Sequence, residues 1–242
     1  MQKIKVVTYN IHKCRGWDRR VLPGRIVEVL REIDADVIGL QEVLSLENGS
    51  REQDQARFIS EDLGFEYHLG ETRKHKGAAY GNVILSRFPI KAVQTFDLSL
   101  RGRENRGGLR ADIKLKNKKL LHLYNVHLGT AYLERRVQAR KLLQTLLPES
   151  EELKGNRVLI GDFNEWTRGL TTKLLSAHLK SAHVELRLQS SKTFPSILPM
   201  LHLDYIYYDD QLQMESLHLH RSRKALMASD HLPVVAGFKI PE

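Results

Sequence analysis

The polar residues of this chain that could do chemistry recur at one kind of place, the end of a short apolar run. Val6-Val7-Thr8-Tyr9 leads to Asn10, and Val37-Ile38-Gly39-Leu40 leads to Gln41 and Glu42. Leu121-His122-Leu123-Tyr124-Asn125-Val126 leads to His127, and Val158-Leu159-Ile160-Gly161 leads to Asp162 and Asn164. Asp204 opens the run Tyr205-Ile206-Tyr207-Tyr208, and Asp230 and His231 precede Leu232-Pro233-Val234-Val235. Runs of this length, rich in β-branched and aromatic residues, read as strands. Strand ends are rigid points from which functional groups are presented, so several strands of one sheet could bring these groups into a single cleft.

The oxygen-rich members, Glu42, Asp162 and Asp230 with Asn10 as a neutral donor, suit a hard cation. Magnesium takes one or two carboxylates, several waters and substrate phosphate, whereas zinc would require more His or Cys. The histidines are then free for other work. His231 could take a proton from water if Asp204 held its ring in one tautomer. His127 and Asn164 could donate hydrogen bonds to phosphoryl oxygens as negative charge develops. No Ser or Cys stands beside a base in the cluster, which makes direct attack by water the simpler chemistry. Each residue alone has an ordinary alternative: Asn10 as a turn residue, Glu42 as a helix-start acid, His127 as a half-buried strand histidine, Asp162 and Asn164 as residues that shape a loop. Their joint occurrence at successive strand ends favours a site.

The elements that must position them follow from periodicity. Strands are expected at Lys3–Tyr9, Asp36–Gln41, Asn82–Leu85, Ala92–Phe96, Arg157–Ile160, Leu203–Tyr208, Glu215–His220 and Val234–Lys239, and a hairpin joins Leu109–Leu115 to Lys118–Val126 across Lys116-Asn117. Leu22–Ile33 carries Ile26, Val29, Leu30 and Ile33 at helical spacing, with Pro23 fitting the first turn. Arg51–Leu63 reads as a second helix stopped by Gly64, and Tyr132–Leu147 as a third closed by Pro148. Strands outnumber helices and many adjoin directly, which predicts mixed or antiparallel sheets covered by helices instead of a simple doubly wound sheet.

The 242 residues are 41% hydrophobic, with no repeat, low-complexity segment or long linker, and are read as one domain spanning 1–242. A net charge of +9 favours polyanionic partners: nucleic acid, an anionic membrane surface or phosphorylated small molecules. Cys14 is the single cysteine, which excludes an intrachain disulfide and a Cys-based zinc site. No apolar stretch approaches spanning length, and the N-terminus lacks the apolar region and cleavage site of a signal peptide. The expectation is a cytoplasmic monomer without stable membrane insertion.

The same residues, in the same order, resemble the endonuclease/exonuclease/phosphatase superfamily, which includes deoxyribonuclease I, abasic-site nucleases of the exonuclease III type, neutral sphingomyelinases, inositol polyphosphate 5-phosphatases and deadenylases. The match runs from Thr8-Tyr9-Asn10-Ile11-His12 through Leu40-Gln41-Glu42-Val43, Tyr80-Gly81-Asn82 with Ile84-Leu85-Ser86-Arg87, and Asn125-Val126-His127-Leu128. It continues through Gly161-Asp162-Phe163-Asn164 and Leu203-Asp204-Tyr205-Ile206 to Ser229-Asp230-His231-Leu232-Pro233. One such motif is weak, and the ordered set is specific. The resemblance implies a four-layer α/β sandwich of two packed mixed β-sheets flanked by helices. It implies a magnesium-dependent phosphoesterase, with manganese or calcium as substitutes. Glu42 would be the main metal ligand with Asn10 and Asp230 nearby, Asp162 would orient or activate water, and Asn164 and His127 would contact the phosphate. His231 would pair with Asp204 as an acid/base dyad, with Asp162 and His231 both open as the base. Asn82, within its motif, is taken as substrate-binding.

Substrate is less legible. Where abasic-site nucleases usually show Tyr-x-Pro-Asn this chain has Tyr124-Asn125-Val126-His127, and where they carry Trp-Asn-Val-Asn-Gly it has Tyr9-Asn10-Ile11-His12-Lys13. The Asn-Val-His-Leu form resembles the deoxyribonuclease I and sphingomyelinase branches. Basic groups gather at Arg101, Arg103, Arg106 and Arg110, at Arg73, Lys74 and Lys76, at Arg221, Arg223 and Lys224, and on a helix at Arg135, Arg136, Arg140 and Lys141. The helix group reads as a solvated face. Arg106 and the Arg221–Lys224 group lie close to motifs and are the candidates for phosphate contact. Trp17 and Trp166 could stack on a base or simply pack. Charge modestly favours nucleic acid as the phosphodiester substrate. The alternatives are a sphingomyelinase-like or other lipid or small-molecule phosphoesterase, for which an exposed apolar hairpin would be a sign not legible here, and, last, a non-catalytic binding module.

Overall fold

Strands distant in sequence pair in this chain, and that pairing is what assembles the site. The computed structural model describes residues 2–146, 156–166, 169–185 and 192–240. The first half of the chain runs β1 (Gln2–Asn10), α1 (Pro23–Ile33), β2 (Val37–Ser45), α2 (Gln55–Leu63), β3 (Glu66–His75), β4 (Ala78–Ser86), β5 (Ile90–Asp97) and β6 (Gly107–Lys114). The second half runs β7 (Leu120–His127), α3 (Tyr132–Leu146), β8 (Arg157–Asp162), α4 (Leu170–Ser176), β9 (Lys180–Ser181), α5 (Ala182–Glu185), β10 (Asp204–Tyr208), β11 (Gln213–Leu219), α6 (Arg223–Ala228) and β12 (Val234–Ile240).

The strands form two six-stranded sheets, ordered β11-β12-β1-β2-β4-β3 and β5-β6-β7-β8-β10-β9. Each is mixed in the same way. A central parallel pair, β1–β2 in one and β7–β8 in the other, is flanked on both sides by antiparallel partners. The sheets face each other across one core: Val6, Val37, Ile84 and Ala236 from the first sheet meet Leu109, Leu123, Ile160 and Ile206 from the second. A second core packs α1, α2 and α6 on the outside of the first sheet through Ile26, Leu30, Ile59 and Ala225. A third packs α3 and α4 on the second sheet through Leu142, Leu146 and Leu175 against Tyr124, Leu159 and Phe163. This is the expected four-layer α/β sandwich.

Local chemistry explains most of the boundaries. In α1 the apolar positions at helical spacing are all buried, with Pro23 in the first turn. Before α2, residues Arg51–Gln53 form a short 3-10 turn, and the helix itself starts after Asp54, whose carboxylate accepts from Arg57 N at 3.3 Å. Gly64 ends it at φ 69, as expected. The hairpin β6–β7 forms in register from Gly108↔Val126 to Lys114↔Leu120. The expected end of α3 at Leu147 and Pro148 lies outside the described residues. β3 was not anticipated: its sequence, Glu-Tyr-His-Leu-Gly-Glu-Thr-Arg-Lys-His, is rich in charge because it is the edge of its sheet. The short α4, α5 and α6 also carried too few turns for periodicity to show. No helix among the described residues is long and apolar enough to cross a membrane.

Candidate active site

The two parallel pairs set the location. In a parallel pair both C-terminal ends fall on one side, so Asn10 lies opposite Gln41, and His127 opposite Asp162. Their antiparallel neighbours start where these strands end. β10 opens with Asp204 against Asp162, and β12 opens with Val234 against Thr8, three residues after His231. Stacking the sheets therefore gathers the residues expected from sequence along a single edge of the sandwich.

There the side chains interlock. His231 Nδ1 donates to Asp204 Oδ2 at 2.8 Å, and its Nε2 lies 3.7 Å from Asp162 Oδ2. His127 Nε2 is 3.6 Å from that same oxygen. Asn10 Nδ2 donates to Asp162 Oδ2 at 3.0 Å and to Glu42 Oε1 at 3.3 Å, while its Oδ1 accepts from the His12 N–H. Asn10 thus presents its donor, and not the oxygen anticipated for a cation, to the two carboxylates. Asn164 donates its backbone N–H to Asp162 Oδ1 at 2.9 Å and its side chain to Leu128 O at 3.0 Å. Glu42 Oε2 accepts from Lys13 Nζ at 2.5 Å, and Asp230 lies 3.5 Å from His12 Nδ1. Phe194 packs on the His231 ring, with centroids 5.1 Å apart.

The backbone is bent to make this possible. Glu42 sits in a bulge between Leu40 and Val43 with φ 57, and Asn164 has φ 50. His12, Lys13 and Cys14 are three consecutive residues at positive φ. Such conformations cost on the order of 1–3 kcal/mol each and persist only where the surroundings over-determine them. Here Cys14 is buried in the core, its carbonyl accepts from Leu22 N at 3.0 Å, and Gln55 donates to Lys13 O at 2.8 Å. At Gly161, φ 150, a Cβ would collide with the Val126 carbonyl, so the strand end carrying Asp162 requires glycine.

Burial and charge set the protonation pattern. Burial alone would lower the His231 pKa, but its bond and ion pair with Asp204 and the charges of Asp162 and Asp230 push it up to about 10. His127 goes the other way, down to about 4, because burial and Arg106 outweigh Asp162 and Glu42. Burial raises Asp162, against the pull of the two histidines. Burial also opposes ionisation of Glu42, yet His127, Lys13 and Asn10 hold it well below the usual carboxylate range. These shifts favour a protonated His231, a neutral His127 ring and an ionised Glu42.

The other expected residues fall in several places. Buried Arg106 puts Nη1 2.9 Å from His127 Nε2 and donates Nη2 to Glu104 at 2.9 Å; Glu104 also takes Arg73 at 2.5 Å. Asn82 donates to Gly107 O at 2.9 Å, tying β4 to the strand that follows Arg106. In the Arg221–Lys224 group, Lys224 pairs with Glu28 and Glu32 of α1 and is not at the site. Within the α3 group Arg135 is not a solvated residue. It is buried, donates to Gly129 O and Thr130 O, and lies over the Trp166 ring at 5.5 Å. Trp17 donates Nε1 to Ser196 Oγ at 2.8 Å. That serine belongs to a small loop closed by a Phe194↔Leu201 bridge, whose Ile197, Leu198 and Met200 are exposed. It is the exposed apolar feature that sequence reading did not find.

Residues not anticipated at the site also support it. Asn125, fully buried, donates to Leu40 O and Val83 O at 2.9 Å each and accepts from Gln41 Nε2 at 2.6 Å, joining the two sheets beside the Glu42 bulge. Ser229 Oγ donates to Asn10 O at 2.8 Å. Amides at positions that strand alternation places inside are the available signal, since a buried amide must find partners. For a cation, Glu42 and Asp230 offer part-exposed carboxylate oxygens on the same edge, a donor set that fits a hard divalent ion. Asp162, Asp204 and His231 form a second group whose ligand atoms lie within 4.8 Å of one another, and Asp204 Oδ1 there is buried without a hydrogen-bond partner among the described residues.

The sequence profile of the Endonuclease/Exonuclease/phosphatase family matches residues 7–231. The chain is 30% identical over 216 residues to the protein YbhP of Escherichia coli (strain K12), described as uncharacterized, covering 84% of this chain and 83% of that protein. Among solved structures, the human Nocturnin catalytic domain with bound sulfate is similar at TM-score 0.79 and 21% identity, over 99% of this chain and 94% of that one. A mannosyl-6-phosphatase from Bacteroides thetaiotaomicron is similar at TM-score 0.76 and 18% identity, over 98% and 100%. At these identities the structures speak to the fold.

Proposed function

Because the chain belongs to the endonuclease/exonuclease/phosphatase family, a family of phosphoester hydrolases, we propose that it works as one domain that hydrolyses a phosphodiester by direct attack of water, aided by magnesium. The observation carrying this reading is the Asp204–His231–Asp162 chain, with His127, Asn10 and Asn164 converging on the same Asp162 carboxylate. Glu42 and Asp230 would hold the cation, and Asn10 spaces Glu42 from Asp162. A bound divalent ion supplies Lewis-acid polarisation of the phosphoryl group.

The protein's own groups divide the rest. Asp162, fixed by Asn10 and by the Asn164 N–H, presents one oxygen toward both histidines and is placed to orient the attacking water. Asp204 locks the His231 tautomer with Nδ1–H inward, leaving Nε2 to hold or pass a proton at the reacting edge. Arg106 and His127 together form a buried donor corner for phosphoryl oxygens. Net charge of +9 favours nucleic acid as substrate. The exposed Ile197, Leu198 and Met200 beside Phe194 favour the second reading, a lipid phosphoester. Incubating supercoiled plasmid with the protein, with magnesium or with chelator, separates them, and Asp162→Ala serves as the contamination control. Magnesium-dependent nicking lost in the variant supports a nuclease. Absence of nicking, with release of phosphorylated headgroup from phospholipid vesicles, supports the second reading.

A further inference from the structure

Beside Glu42 lies a cleft of about 690 Å³ between the residue 13–21 loop, the 44–53 segment and the turn of the β3–β4 hairpin. Lys13, Arg15, Arg19, His75 and Lys76 line it, against the single carboxylate of Glu52. Several basic groups elsewhere on this molecule are neutralised in place. Arg73 and Arg106 share Glu104, Arg110 pairs with Asp112, and Lys224 pairs with Glu28 and Glu32. In the cleft, Arg15, Arg19 and Lys76 are exposed, and none has an ion-pair partner among the described residues. Concentrating unpaired cations in a concavity raises the local anion concentration, and a cleft focuses the field more than a flat face does.

The cleft is also built rigidly and joined to the catalytic edge. Gln55, buried, donates to Lys13 O at 2.8 Å and accepts from Leu44 N at 3.0 Å, fixing the Lys13 turn to β2. The three positive-φ residues His12–Cys14 are what turn Lys13 toward both the cleft and Glu42. Its volume lies in the range that takes a nucleotide-sized group.

We propose that this cleft is a subsite for a second phosphate of the substrate, separate from the phosphate that is hydrolysed, with Lys13 shared between the two. The inference rests on the phosphoesterase reading of the catalytic edge but is tested by binding alone. The substrate class is then a compound bearing at least two phosphates, either a nucleic acid strand or a multiply phosphorylated small molecule.

The test compares the wild-type protein with the triple variant Arg15→Ser, Arg19→Ser, Lys76→Ser in chelator, so that hydrolysis plays no part. The probes are a fluorescein-labelled ten-residue oligothymidylate and, separately, inorganic pyrophosphate. A second triple variant, Lys116→Ser, Lys118→Ser, Lys119→Ser, removes equal charge from the β6–β7 turn at the opposite edge of the sandwich. The cleft variant should bind the oligonucleotide at least about tenfold more weakly, with its log–log salt slope reduced by about 2, near 0.7 per lost phosphate contact on a single strand. The turn variant should stay within about threefold of wild type. Weakening for the oligonucleotide alone identifies a strand, and weakening for pyrophosphate as well identifies a small multiply phosphorylated substrate. Equal weakening by the two variants, no weakening by the cleft variant, or no binding of either probe by the wild-type protein overturns the proposal, whatever the plasmid assay reports.

Discussion

Replacing Asn125 with Ala should destabilise this protein without removing any group that touches substrate. Asn125 comes from the second sheet and makes three buried bonds to the first: two to the carbonyls of Leu40 and Val83, and one from Gln41. The bulge between Leu40 and Val43 interrupts the β2–β4 ladder at this point, and the Asn125 amide supplies donors there from across the core. Each bond contributes about 1 kcal/mol net, and two carbonyls left buried without donors add desolvation cost, so the loss is roughly 3–4 kcal/mol. In a chain of 242 residues that corresponds to a fall of about 10 °C in melting temperature. Thermal unfolding followed by circular dichroism measures it, and a cycle with Gln41→Ala should show the two substitutions to be non-additive because they share a bond. A fall of less than about 3 °C, or full additivity, would refute the idea that this amide holds the sheets together at the Glu42 bulge.

Glu42→Gln should weaken divalent-ion binding and activity together, read by calorimetry and by turnover; tight ion binding by the variant would move the cation elsewhere. Asp162→Ala and His231→Ala should each lower turnover by at least about a hundredfold, the scale of a general acid–base group, and near-normal rates in both would sink the mechanism. Asp112 is raised by burial, but its bond and ion pair with His122 and its pairing with Arg110 outweigh that and depress its pKa. A depressed carboxylate stabilises the folded state above its unfolded pKa of about 3.9 and loses that contribution as pH falls through the folded value. The stability gap between wild type and Asp112→Asn should therefore be full near neutrality and shrink below about pH 4 in acid unfolding monitored by fluorescence; a gap that stays constant with pH would contradict the ion pair. Arg135→Ala should lower the melting temperature by several degrees, since it strands the carbonyls of Gly129 and Thr130, and an unchanged melting temperature would return Arg135 to the solvated face.

Much of this molecule is determined by local sequence. The strand runs, the Asp54 cap and the Gly64 stop are properties of a few neighbouring residues, and so is the placing of each polar group at a strand end. The residues expected to share a site do share an edge, because period-two alternation and short turns leave few ways to stack such strands. The edge strand β3 and the short helices escaped because a charged edge or a single turn carries no periodic signal. Contacts between groups far apart in the chain were decided only by tertiary packing. In sequence Arg135 reads as surface charge and Lys224 as a candidate for phosphate contact; packing of α3 against the Trp166 segment and of α6 on α1 gives both residues structural partners instead. The apolar loop around Leu198 became a feature only once Phe194 was seated on His231. The turn of Asn10, with its NH₂ toward Glu42 and Asp162, depends on carboxylates 32 and 152 residues away. Residue type sets what a group can donate or accept, but which partner it meets depends on how two sheets, joined through distant segments, close on one another.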